Sequence, residues 1–235
     1  MKLGIMQPYF LPYIGYFQLI AAVDAFVIYD NIKYTKKGWI NRNRLLVNGV
    51  DSIFTLPLKS DSDSLDILYR ELAVSFDRVK LINQFKNAYS NAPNFTQVFP
   101  LLERIVWHED SNLFRYIHHS ILLVCEYLNI KTKIFVSSNV PIDHNLKGQN
   151  KVLALCKALG AHTYINAIGG MELYSHDDFQ AQGIDLDFIK PQLVEYKQFE
   201  SAFVPWLSIV DVLMFNAPSR IFSEQLFSYE LIKKL

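Results

Sequence analysis

Residues 3–44 read LGIMQPYFLPYIGYFQLIAAVDAFVIYDNIKYTKKGWINRNR, and the order of apolar runs and breakers in them sets the fold class. Leu3-Gly4-Ile5-Met6 is an apolar run of strand length. Pro8 and Pro12 then bar helix, because each lacks an N–H and pushes its predecessor toward extended geometry. The chain must leave the strand in a stiff aromatic loop, Gln7 to Tyr13. A helix can start near Gly15, with Phe17, Leu19, Ile20 and Val23 on its apolar side. Ala25 to Tyr29 is a second buried strand ending at Asp30. Strand, loop, helix, strand is the opening unit of an open α/β sheet, in which ligands bind at the carboxyl ends of the strands.

Outward from that unit, residues 40–58 form a hairpin turned by Asn48-Gly49, a type I′ pair. In its first strand the period of two puts Arg42 and Arg44 on one face and Asn41 and Asn43 on the other. Leu72–Phe76 suggests a short strand. Three helices follow: one capped by Asp77 and ending near Ser90, one from Phe95 to Trp107 bent near Pro100, and one capped at Ser111 or Asn112. From Thr132 strands and helices alternate. Strands are expected at Lys133–Ser137, Thr163–Asn166 and Ile184–Ile189. Helices are expected at Lys147–Leu159, Leu173–Gln182 and Pro205–Phe215, with a further one through Phe222, Leu226 and Tyr229. The fold class is therefore α/β: a mainly parallel, Rossmann-like sheet flanked by helices, with a β-hairpin and a helical insertion at about 77–130. One α/β domain spans 1–235 in this reading.

The chain has 235 residues, 51% hydrophobic, with 23 basic against 23 acidic side chains. A balanced charge disfavours a phosphate-backbone binder, so nucleic acid is not expected as a partner. Cys125 and Cys156 lie in apolar helical patterns and read as buried free thiols. No segment has the roughly 18 apolar residues of a membrane span. The N-terminus has no basic region followed by an unbroken apolar core, so the cytoplasm is the expected location.

MQPYFLPYIGYFQLI, DAFVIYDNIKY and KKGWINRNRLL together resemble the WbqC-like protein family of bacterial surface-polysaccharide clusters. Thr55-Leu56-Pro57-Leu58-Lys59, Ser137-Ser138, Lys147-Gly148, Tyr164-Ile165-Asn166 with Gly169-Gly170, and Leu207 to Asp211 fit the same pattern. The resemblance implies decoration of amino sugars of O-antigens by aminoacyl or acyl transfer. The implied partners are a nucleotide-linked amino sugar and a thioester donor, either an acyl carrier or coenzyme A. The opening loop also resembles nucleotidylyltransferase-like Rossmann folds, which carry His-x-Gly-His where this chain has Tyr13-Ile14-Gly15-Tyr16. Gly15 permits close backbone approach and the helix N-terminus can attract phosphate. Neutral tyrosine cannot supply an imidazolium-like charge, which implies nucleotide binding more than nucleotidyl transfer.

Site candidates follow from position and chemistry. Gln7, Tyr13, Gly15 and Tyr16 belong to the first loop and helix start. Lys36, Lys37, Arg42 and Arg44 make the best anion site, since guanidinium groups on one face can grip a diphosphate, and Asn41 is a further substrate-binding candidate. Ser137, Asn166 and Gly170 fall at the same sheet edge. Asp30 and His144 are the catalytic candidates: a carboxylate at a strand end, and the best placed of the histidines for taking a proton near neutral pH. No spacing indicates a metal. Asp211, inside an apolar helix, is expected to be tied to an arginine or a backbone amide, with catalysis as the second reading. A nucleotidylyltransferase-like enzyme and a non-catalytic sugar-nucleotide binder are the alternatives. The enzyme readings expect Gln7, Asp30 and Arg42 to converge on one pocket, whereas a hairpin that is only a solvated edge would leave Arg42 out of it.

Overall fold

The structure is a computed structural model describing residues 1–62, 64–200 and 202–233. Strand β1 (Lys2–Met6) ends where Gln7-Pro8 begins, and α1 (Ile14–Ala21) starts only after Pro12, as proline chemistry requires. β2 (Ala25–Ile28) returns parallel to β1, with Gly4 opposite Phe26 and Met6 opposite Ile28. β3 (Arg42–Val47) and β4 (Val50–Thr55) form a separate two-stranded hairpin. Asn48 and Gly49 at its tip have φ of 52° and 80°, the left-handed pair of a type I′ turn.

Three helices fill the stretch between β4 and the next strand of the main sheet. α2 (Arg78–Tyr89) is capped by Asp77, which accepts from the Lys80 N–H at 2.9 Å. α3 (Phe95–Val106) keeps Pro100 inside it. α4 (Leu113–Tyr127) is capped by Asn112, which accepts from the Arg115 N–H at 2.9 Å. β5 (Lys133–Val136), α5 (Gly148–Ala158), β6 (Thr163–Ala167), α6 (His176–Gln180) and β7 (Asp185–Pro191) then alternate. α7 (Ile209–Phe215) and β8 (Tyr229–Lys233) close the order.

The main sheet runs β5-β2-β1-β6-β7-β8, all parallel except the edge strand β8. The chain moves outward from β1 to β2 and β5, then jumps back across β1 to β6. The winding therefore reverses between β1 and β6. Alternation along β2 divides the core into two layers. Phe26 and Ile28 join α1, the insert helices and α7 on one side. Ala25 and Val27 join Leu3, Ile5 and the inner face of α5 on the other. Burying each of the Val, Leu, Ile and Phe side chains contributes about 1.5–3 kcal/mol. Gly4 leaves room for its neighbours: a Cβ there would stand 3.0 Å from the Phe26 ring of β2 and 3.4 Å from Leu19 of α1.

Four expected elements differ. Leu72 and Ala73 bond to Ser111 and Pro57 in turn, so two neighbours share them and no ladder forms at 72–76. The helix expected from Leu173 is a 3₁₀ segment at Ile168–Leu173 followed by the short α6, because Ser175 caps a new start by accepting the Asp178 N–H. The helix expected from Pro205 begins at Ile209, since Trp206 takes a left-handed φ of 59° that no helix continues. Past Phe222 the helical turn ends at Gln225, and the alternating Tyr229-Glu230-Leu231-Ile232-Lys233 adds β8 instead.

Candidate functional site

A cleft of about 520 Å³ opens where the winding reverses. Its floor is the carboxyl ends of β1, β2 and β6, which deliver Gln7, Tyr29 and Asn166. The first residues of α1 and α5 reach it through Gly15, Tyr16, Gly148 and Gln149. Gly169, Gly170 and Tyr174, from the turn after β6, make the far wall. Among the described lining residues the titratable groups are phenols. Burial raises all of them: Tyr9, Tyr13 and Tyr174 above the ordinary phenol value, Tyr29 to about 12, and Tyr16 well above that ordinary value. The cleft is thus a neutral surface of aromatic faces and hydroxyl groups near pH 7. Such a surface stacks on planar or sugar rings and hydrogen-bonds their polar edges.

The loop carrying Tyr9 and Tyr13 is fixed from outside. Leu11 holds a left-handed φ of 45°, unusual for a bulky residue, and its carbonyl accepts from Asn43 Nδ2 at 2.8 Å and Ser208 Oγ at 2.7 Å. The Pro12 carbonyl accepts from the Ile209 N–H at 2.8 Å, and the Phe10 N–H donates to Ile40. Hairpin and α7 therefore grip one strained bend between them. Inside the cleft Tyr16 donates to the Gln7 carbonyl at 3.0 Å. Both key glycines are explained by neighbours. A Cβ on Gly15 would collide with the Tyr13 ring, which lies over the first turn of α1, and one on Gly170 would meet Asn166 Nδ2 at 2.6 Å.

Beside the cleft lies a polar cluster. Asp30 is fully buried, and its carboxylate accepts from Ser137 Oγ (2.6 Å), Ser138 Oγ (2.6 Å) and the Ser138 N–H (3.0 Å). Ser137 Oγ is also 2.6 Å from the Asn31 carboxamide, whose other end faces His144 Nδ1 at 2.9 Å. One hydroxyl proton cannot serve both neighbours. The charged carboxylate takes it, so the Asn31 nitrogen turns to Ser137 and its oxygen to an Nδ1–H of His144. That tautomer leaves the His144 Nε2 lone pair open. Lys151 is buried in the same region, donating to the Asn31 carbonyl at 3.2 Å with its ammonium 5.2 Å from the centre of the Tyr29 ring. Burial lowers its pKa, while Asp66 and Asp30 act in the opposite sense.

The hairpin side chains have other partners. Asn41 spans Tyr34 and the Leu56 carbonyl. Arg42 donates to the Gly38 and Lys37 carbonyls at 3.0 and 2.6 Å. Arg44 donates to Asp51 at 3.2 Å and the Trp206 carbonyl at 2.9 Å. Both guanidinium groups lie over the Trp39 ring, at 5.6 and 5.5 Å. Asp211 accepts from Tyr89 (2.9 Å), Tyr196 (2.7 Å) and Gln198 (2.6 Å) rather than from an arginine or a backbone amide, and its burial raises its pKa.

The cleft brings together Gln7, Tyr13, Gly15, Tyr16, Asn166 and Gly170. Asp30, Ser137 and His144 form the adjacent cluster, and Lys37, Asn41, Arg42 and Arg44 stand outside the lining. Sequence reasoning missed Tyr29, Tyr174, Gln149 and Lys151. Tyr29 could have been found, since it follows the apolar run of β2 at the ligand edge. Lys151 could not, because it reads as an ordinary exposed position of an amphipathic helix. Cys125 and Cys156 are buried free thiols whose pKa values burial pushes up to about 12. Among the described residues no cluster of three His, Cys, Asp or Glu suits a metal ion, and no helix is long and apolar enough to cross a membrane.

Residues 7–222 match the WbqC-like protein family, and the chain belongs to it. It is also similar to the Mycobacterium tuberculosis protein named uncharacterized protein Rv1507c, with 29% identity over 219 residues, covering 92% of this chain and 93% of that one.

Proposed function

From membership of that family and the geometry of the cleft, we propose that this protein is an enzyme of surface-polysaccharide assembly. It binds a nucleotide-activated amino sugar at the β1–β6 reversal and transfers an aminoacyl or acyl group from a thioester to the sugar amine. The observation that carries the reading is the cleft itself: a neutral, tyrosine-lined cavity at the switch point of a Rossmann-like sheet, with Gln7 and Asn166 at its floor. In the transfer, the amine nitrogen attacks the thioester carbonyl. A C–N bond forms, the C–S bond breaks and the sulfur leaves as a thiolate. The amine proton passes to His144 Nε2 and then to that thiolate. Asp30 acts as a positioning residue, holding Ser137 and, through it, the carboxamide that orients His144. The loop bearing His144 leads directly into Gly148 and Gln149 of the cleft wall.

The test is incubation of the protein with a nucleotide-linked amino sugar and an acyl or aminoacyl thioester, read by mass spectrometry. The expected product is the sugar nucleotide heavier by the transferred group, with formation slowed at least roughly a hundredfold in His144→Ala, the scale of a lost general base. Tight binding without product would instead support a carrier of sugar nucleotides. Pyrophosphate release from a nucleoside triphosphate would support nucleotidyl transfer.

A further inference from the structure

The turn that leads into the hairpin presents a surface chemically opposite to the neutral cleft. Residues 33–44 carry five basic side chains, Lys33, Lys36, Lys37, Arg42 and Arg44, and no acidic one, in a chain of 23 basic and 23 acidic residues. The remainder of the chain is therefore net acidic, and positive charge is segregated on this segment. Within it stands Trp39, 43% exposed, although an indole is ordinarily well buried. The turn is rigidly built. The Gly38 N–H donates to the Thr35 carbonyl at 3.0 Å, Arg42 grips the Lys37 and Gly38 carbonyls, and the Tyr34 hydroxyl donates to Asn41 at 2.8 Å. Asp51, across the hairpin, is taken by Arg44 at 3.2 Å. The two arginines thus act as struts under the Trp39 ring, whereas Lys33, Lys36 and Lys37 are exposed like the indole itself. An indole and ammonium groups presented on a preformed turn lose little conformational entropy on docking.

We infer that this turn is a docking point for an anionic lipid bilayer. The ammonium groups of Lys33, Lys36 and Lys37 meet lipid phosphates, and Trp39 enters the boundary between headgroups and acyl chains, where indoles partition. The net acidic remainder is repelled by such a surface, which orients this segment toward it. Charge and indole together give reversible attachment, not insertion. Ile32, which immediately precedes Lys33, lines the cleft, so docking brings the cleft rim close to the bilayer. A bilayer fits better than single-stranded nucleic acid, which calls for successive aromatic platforms along a basic track. Among residues 33–44 one ring, Trp39, is exposed. The inference goes beyond the transfer reading and does not depend on it.

The experiment floats the full chain with vesicles of phosphatidylglycerol and phosphatidylcholine and, separately, of phosphatidylcholine alone. Flotation with the anionic vesicles only, lost as salt is raised, is expected. Anionic vesicles with brominated acyl chains should quench tryptophan fluorescence. Trp39→Phe, which keeps a ring over the arginines, should abolish that quenching although Trp107 and Trp206 remain. Lys33→Gln/Lys37→Gln should weaken vesicle binding by about thirtyfold, while Tm holds because both side chains are exposed. Equal flotation with neutral vesicles, no flotation with anionic ones, quenching that survives Trp39→Phe, or binding unchanged in the double lysine variant would overturn the inference. So would capture of a single-stranded oligonucleotide by the wild type in preference to anionic vesicles.

Discussion

The cleft and the hairpin both carry polar side chains, but those chains have different occupations. In the hairpin, Arg42 and Arg44 spend their guanidinium groups on backbone carbonyls, Asp51 and the Trp39 ring. In the cleft, Tyr29 and Tyr13 line open space from the end of a strand and the start of a helix, and the buried Asn166 beside them accepts from the Ala167 N–H at 2.8 Å. Formal charge concentrates where the fold uses it as internal scaffolding. The surface suited to a ligand is neutral, and the scaffold holds it rigid by gripping Leu11 and Pro12 from behind.

Several substitutions can break or sharpen that contrast. The largest expected effect is on the scaffold. Asp211→Ala strands the Tyr89, Tyr196 and Gln198 donors and should lower stability by about 3 kcal/mol, read by chemical denaturation. Burial raises the Asp211 carboxyl, so the folded state favours its protonated form. Its contribution is therefore most favourable below the ordinary carboxylate range and declines as pH rises through the raised folded value. Asp211→Asn should remove that decline, giving a flatter Tm against pH. On the cleft side, Tyr29→Ala should weaken a nucleotide-linked amino sugar by about 2 kcal/mol, roughly thirtyfold, on loss of a stacking face. Unchanged calorimetric affinity would remove Tyr29 from the site. A smaller effect is expected for Gly15→Ala. Alanine favours helix by about 1 kcal/mol and offsets the collision with Tyr13, so Tm should hold while affinity falls by about tenfold as the ring is displaced. The smallest is Arg42→Ala, which frees the Gly38 and Lys37 carbonyls near the surface and should cost about 1 kcal/mol of stability.

Much of the architecture is legible in residues 3–44, because Pro8, Pro12 and the two apolar runs act locally. Asp77, Asn112 and Asn48-Gly49 are legible for the same reason: caps and tight turns are written in neighbouring residues. β8 is not, since Tyr229–Lys233 becomes a strand only by pairing antiparallel with β7. The site divides along the same line. Gln7 and Asn166 follow from strand ends and Tyr13 from the start of α1, rules that read from sequence. The partners of Arg42 and Arg44 do not, because the Trp206 carbonyl and the Lys37–Trp39 turn come together only in the folded chain. Lys151 is hidden likewise: its burial depends on Tyr29 and Asn31, far away in sequence.

The most direct measurement is calorimetric titration of one nucleotide-linked amino sugar into wild type, Asn166→Ala and the Arg42→Ala/Arg44→Ala double variant, each confirmed as folded. Asn166→Ala is expected to lose about tenfold or more in affinity, and the arginine variant to stay within about twofold of wild type. Loss of binding in the arginine variant with Asn166→Ala unaffected would place recognition on the hairpin and contradict the account.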